Sequence, residues 1–138
     1  MDLAILALTA LLLPPQPAPA PRPLPDPLEA LWKGKPVCER LIENDTQRVL
    51  RCTFPPGGGH DRHYHRPHVG YALSGGRMRI TDANGVRETS IETGASFTST
   101  GVLWHEVLNI GDTTVQYLIV ESKADCPPAA SPAPLARL

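Results

Sequence analysis

The chemistry this sequence offers lies in its five histidines, four of which fall within a single short stretch: His60, His63, His65 and His68. The fifth, His105, stands far downstream. Residues two apart on a β-strand leave the same face, so His63 and His65 can point at one atom. On a facing strand, His105 is the remaining imidazole able to complete a three-nitrogen site. Neutral imidazole suits iron, zinc, nickel and copper at neutral pH. Three protein ligands also leave positions open for water and substrate, the layout of a reactive centre rather than a closed structural one. Histidine clusters also occur as solvated patches, and Asp61, Arg62 and Arg66 are ordinary surface residues. The framing favours the metal: a glycine-ended strand on each side, and one remote histidine before another strand.

The elements that must hold these side chains are short strands. Gln47 to Phe54 alternates polar and apolar and stops at Pro55-Pro56-Gly57-Gly58-Gly59. Val69 to Ser74 ends at Gly75-Gly76, and Arg77 to Thr81 leads into Asp82-Ala83-Asn84-Gly85, a hairpin turn in which Asn-Gly supplies positive φ. Val86 to Ile91, Ser96 to Thr98, His105 to Asn109 and Thr114 to Glu121 complete the set. Beyond Leu31 no stretch sustains a helical period. Many short strands with glycine turns predict an all-β barrel or sandwich, a compact double-sheet roll at this length. Leu28 to Lys33 reads as a short helix capping one end.

A chain of 138 residues holds one domain. Its net charge of -1 argues against nucleic acid or an acidic membrane surface as partner. Leu3 to Leu13 has the length of a signal-peptide core, too short for a stable membrane span, and Ala18-Pro19-Ala20 offers a cleavage site. The start carries Asp2 instead of the usual positive residue. On this reading residues 1–20 are a signal peptide of a periplasmic or secreted protein, 21–33 a proline-rich linker, 34–126 the barrel and 127–138 a Pro/Ala-rich tail. Of the three cysteines, Cys38 and Cys52 sit symmetrically about Asn44-Asp45-Thr46, so a hairpin there would face them across two strands. Cys52 also reads as a plain buried strand residue between Leu50 and Phe54. Cys126 is left over.

The stretch PPGGGHDRHYHRPHVGYALSGG, followed by RMRITDANG and then GASFTSTGVLWHEVLN, resembles the two motifs of the cupin superfamily, in its small single-domain form. The resemblance spans roughly Val49 to Glu121. It implies a double-stranded β-helix, or jelly-roll, with one divalent transition metal (Fe, Zn, Mn or Ni) held on His63, His65 and His105. It also implies a small-molecule ligand and, as in many small cupins, a homodimer, for which the apolar strand Val115 to Val120 is the candidate contact.

The sequence departs from the family where the fourth ligand belongs. Seven positions before Gly75 the family usually carries glutamate, and here stands His68. His68 can be a fourth nitrogen ligand, can act catalytically beside the metal, or can point away; counted from Gly76, the position falls on Val69, which ligates nothing. The lost carboxylate leaves the site more positive, which favours an anionic ligand. Tyr71 is a second catalytic candidate, a phenol for the pocket wall. His60 reads as a rim residue, Trp104 as core, Glu106 as surface, and Arg77 and Arg79 as a solvated face. The activity expected is that of a dioxygenase, or of an isomerase or lyase, with a non-catalytic binding barrel as the alternative.

Overall fold

A computed structural model describes residues 23–124 of the chain. The proposed signal peptide, Cys126 and the Pro/Ala-rich tail lie outside the described residues. Strands β1 (Leu31–Trp32) and β2 (Lys35–Pro36) form a two-stranded ribbon. They are followed by β3 (Cys38–Glu43), β4 (Gln47–Phe54), β5 (Gly59–His65), β6 (His68–Ser74) and β7 (Gly76–Asp82). The set closes with β8 (Gly85–Ile91), β9 (Ser96–Ser99), β10 (Val102–Asn109) and β11 (Val115–Ser122). The antiparallel order is β3-β4-β11-β6-β9 in one sheet and β5-β10-β7-β8 in the other, the all-β jelly-roll expected. No helix among the described residues is long and apolar enough to cross a membrane.

Alternation decides which face each strand buries. On β4, Leu50, Cys52 and Phe54 are buried, and on β11 Val115 and Ile119 join them in a core completed by Cys38 and Met78. Cys38 and Cys52 are register partners on β3 and β4 and are joined by a disulfide, with Cα atoms 4.0 Å apart. Closing a loop of this length restricts the unfolded chain and contributes about 3 kcal/mol in the chain-entropy picture.

On β6 the inward residues are His68, Gly70 and Ala72. A Cβ on Gly70 would lie 2.1 Å from the Phe97 ring, so the missing side chain is what lets Phe97 of β9 lie across β6. Between β7 and β8 only Gly85 takes positive φ (113°); Asn84 does not, and its N–H is held instead by Asp82 Oδ1 at 2.8 Å.

Several expectations are corrected. Leu28 to Lys33 is not a helix: Asp26 holds one turn, its carbonyl accepting from Ala30 N at 2.9 Å, and the chain then enters the β1–β2 hairpin. Lys33 (φ 50°) and Gly34 (φ 78°) form that hairpin's turn, the pair of positive φ values that two-residue loops favour. Nor do residues 23–33 behave as a linker, since Tyr64 N donates to Pro25 O, Asp26 pairs with Arg48, and Pro27 and Ala30 are buried. Strand β5 starts inside the glycine run, at Gly59. Finally, Val115 to Val120 cannot add a partner strand edge to edge, because β11 is central, hydrogen-bonded to β4 and β6.

Candidate metal centre

Strands β5 and β10 carry the histidines, and two irregularities aim them. Between Val102 and His105, β10 spans three residues against two on β5, while between His60 and His63 β5 spans three against two on β10. Such bulges re-aim side chains and are common beside functional sites. The first brings His105 opposite His63. The second lets His60, an odd number of residues from His63, face the same interior.

His63 Nε2 lies 3.0 Å from His65 Nε2 and 3.0 Å from His105 Nε2. The far side of two of these rings is fixed. His63 Nδ1 donates to Asp61 O at 2.7 Å, and His65 Nδ1 faces Glu121 Oε1 at 2.6 Å. Both acceptors are oxygens, so in the neutral rings each proton sits on Nδ1 and both Nε2 atoms are bare. Two lone pairs 3.0 Å apart repel unless a cation lies between them. Metal–nitrogen bonds of about 2.0–2.1 Å at tetrahedral to octahedral angles put ligand nitrogens about 2.9–3.4 Å apart, so the donor set fits a divalent metal.

Burial pushes all three rings away from protonation. His105 is driven down to about 2 by burial and then by the neighbouring His65 and His63; His63 and His65 are lowered by the same burial. A ligand must be unprotonated to coordinate, and these rings are held so without a metal's help.

Behind His65 runs a chain of charges that the sequence reading missed. Glu121, on β11, has no exposed side-chain surface, and Arg48 donates to its Oε2 from Nε at 2.8 Å and Nη2 at 2.7 Å. Arg48 Nη1 reaches Asp26 Oδ2 at 2.8 Å. Burial pushes Glu121 upward against the opposing pull of Arg48. Asp26 moves the other way: burial would raise it, but the Arg48 guanidinium wins and holds it below its usual value.

The remaining candidates separate. His68 is buried and lines the cavity, with Nδ1 donating to Arg66 O at 2.7 Å. It is not in the trio of His63, His65 and His105; with His65 and Glu121 it forms a second group, ligand atoms within 4.8 Å of one another, that could hold a metal. Tyr71 is a correction. Parity on β6 sends it to the outer face, 46% exposed, and it is absent from the cavity wall. The phenol that does line the cavity is Tyr117 of β11, which burial pushes up to about 12.

His60 is also a correction. Far from a rim residue, it is 2% exposed, donates from Nε2 to Ala30 O at 3.1 Å, and stacks on His63 with ring centroids 3.9 Å apart. Trp104 is not core but lies partly exposed under the Arg62 guanidinium, 3.9 Å from the ring centroid. Glu106 pairs with Arg62 on that outer surface at 3.0 Å.

The histidines open onto a cavity of about 280 Å³ between the sheets, walled mainly by apolar side chains such as Met78, Ile80, Ile91 and Phe97. That is the lower end of small-molecule sites.

A two-sheet roll with inward histidines on two paired strands of one sheet, not on facing strands as expected, defines the class, and the comparisons with known proteins give the family. The family model for the cupin domain matches residues 50–121. The chain belongs to the cupin family. Among solved structures it is similar to a cupin domain from Bordetella pertussis Tohama I, with 26% identity over 69% of this chain and 94% of that one, and a TM-score of 0.59. It also shares its fold with the polyketide cyclase RemF from Streptomyces resistomycificus, at 20% identity over 65% of this chain and 66% of that one, with a TM-score of 0.53. No curated protein matches it by sequence.

Proposed function

We propose that this cupin binds one divalent transition metal on His63, His65 and His105 and acts on a small anionic metabolite, as a dioxygenase if the metal is iron, or as an isomerase or lyase with zinc, manganese or nickel. The observation that carries the reading is the pair of bare Nε2 atoms 3.0 Å apart on His63 and His65, each ring locked from behind by an oxygen acceptor. Such a metal supplies Lewis acidity and, as iron, redox chemistry with dioxygen. The ligand is anionic on this reading because three neutral imidazoles leave the ion's charge uncompensated.

The chain's own groups have separate tasks. His68, with its proton held on Nδ1 by Arg66 O, presents Nε2 as a base at the cavity wall. Tyr117 is raised to about 12 by burial, so it keeps its proton at neutral pH and can offer a hydrogen bond but does not act as a base. Apolar residues from both sheets exclude water. The Cys38–Cys52 disulfide supports a periplasmic or secreted location, where such bonds persist.

A non-catalytic barrel that holds a metabolite or metal is the second reading. It is favoured by the absence of any carboxylate or lysine from the cavity wall among the described residues.

Elemental analysis of chelator-free protein, beside His63→Ala and His105→Ala, tests the centre. About one metal per chain in the wild type, lost in both variants, is expected. A wild type that takes up none sinks the reading. Iron would point to oxygen consumption, and a loaded protein inert toward chelating acids would favour the binder.

A further inference from the structure

One ion pair stands on the wrong face of its sheet for a surface decoration. On β7, Met78 and Ile80 line the cavity and Asp82 shares their face by strand parity, at the strand end, as the register partner of His105 on β10. On β8, Arg87 is the register partner of Ile80 and so shares that inner face. The outward column of the same two strands holds Arg77, Arg79 and Glu88, which pair among themselves; Arg87 is 54% exposed, at the mouth of the cavity, and Asp82 beneath it is 14% exposed. Arg87 is the one Lys or Arg among the described residues that lines the cavity.

The guanidinium is anchored yet still has donors to offer. Asp82 Oδ2 accepts from Arg87 Nη1, while Asp82 Oδ1 is taken by Asn84 N at 2.8 Å, which fixes the carboxylate. Of five N–H donors, Asp82 engages those of one nitrogen, leaving the Nε and Nη2 edge free. A guanidinium edge of this kind grips a carboxylate through two parallel hydrogen bonds. Apart from the histidines, Ser99 and Tyr117 the rest of the wall is apolar, and a doubly charged phosphate needs more donors than one arginine edge provides. Asp82 is the register partner of His105, one strand spacing of about 5 Å away, so the guanidinium and the histidines border one cavity that a short carbon chain can span.

We propose that Arg87, positioned by Asp82, is the residue that recognises the ligand, and that the ligand is a small monocarboxylate with a short apolar body whose other end reaches the three-histidine centre. This rests on the metal reading above and adds the ligand class and the residue that selects it.

The test uses the full zinc-loaded chain and two probes that grip a metal through a hydroxamate: the monohydroxamate of succinic acid, which carries a free carboxylate, and propionohydroxamic acid, which does not. Affinities are measured by calorimetry for wild type, Arg87→Gln and Arg87→Lys, with zinc content determined on the same samples. The carboxylate probe should bind wild type at least about tenfold more tightly than the neutral one, the scale of a charge-assisted hydrogen bond. That preference should vanish in R87Q and survive in part in R87K, with zinc content and affinity for the neutral probe unchanged. Zinc-loaded protein that shows no preference, or a preference that persists in R87Q, overturns the assignment while leaving the metal site standing. A wild type that binds no zinc overturns the metal reading and this inference with it.

Discussion

His65 Nδ1 meets Glu121 Oε1 at 2.6 Å across 56 residues of chain, and the other oxygen of that buried carboxylate is held by Arg48. A carboxylate behind a ligating imidazole fixes its tautomer and orientation and raises its basicity. In Glu121→Gln the amide keeps the shape but removes the charge, so zinc affinity should fall by about 10–100-fold while the protein stays folded. Competition with a chromophoric chelator reads the affinity, and circular dichroism checks the fold. Unchanged affinity would show that Glu121 does not tune His65.

Acid should begin to destabilise the metal-free protein before it titrates ordinary carboxylates. His60 is held down to about 4 and His105 to about 2, chiefly by burial, and His63 and His65 are lowered with them. A histidine whose folded pKa lies below its unfolded value favours the fold only while neutral. Stability is therefore full above about pH 6.5 and declines as the pH falls, for His60 alone by about 1.4 kcal/mol per unit until about pH 4. Urea midpoints of chelator-treated protein should be level above about pH 7 and fall steadily below 6.5. Added zinc should move the decline to lower pH, since protons must then displace the metal. A level profile down to pH 4.5 would contradict the buried, neutral cluster.

How far the sequence reached depends on how local each signal was. The strands from Gln47 onward follow from alternation and glycine turns, and His63, His65 and His105 from the His-x-His spacing and a remote third imidazole. Glu121 escaped because its partners, Arg48 and His65, lie on other strands, and nothing near position 121 sets it apart from a surface glutamate. His60 escaped because a bulge reverses strand parity, and a bulge has no dependable sequence mark when it is not built on glycine. Pro25 to Ala30 was misread because proline argues against a helix or an inner strand but not against a buried turn.

Tyr71 and Tyr117 illustrate the limit of reading function from proximity along the chain. Tyr71 follows the histidine run closely but lies on the outer face, whereas Tyr117, remote in sequence, packs edge-on to Phe97 with centroids 5.9 Å apart at the cavity wall. Tyr71→Phe should leave metal content, probe binding and any turnover unchanged within error. Tyr117→Phe should keep the metal but weaken a ligand that accepts its hydroxyl proton, by about fivefold to tenfold for a neutral hydrogen bond. Calorimetry with the hydroxamate probes measures both, and an effect of Tyr71→Phe larger than that of Tyr117→Phe would mean the cavity wall is wrongly assigned.

Gly70 and Phe97 make a tighter test of the barrel's geometry. They are register partners on β6 and β9, and the ring occupies the space a Cβ at 70 would need, 2.1 Å from the nearest ring carbon. There Phe97 also packs edge-on to His68, with centroids 6.0 Å apart, so it holds the cavity wall where His68 enters. Gly70→Ala should force the ring aside and cost about 1–3 kcal/mol, the usual penalty of overpacking. Phe97→Ala should also destabilise, through lost packing. Combined, the two should cost less than their sum, because the alanine at 97 vacates the volume that the alanine at 70 requires. A coupling of about 0.5–3 kcal/mol in urea unfolding is the expected size for directly touching residues. Additive costs would mean that the ring does not lie over Gly70, and that the wall beside His68 is built differently.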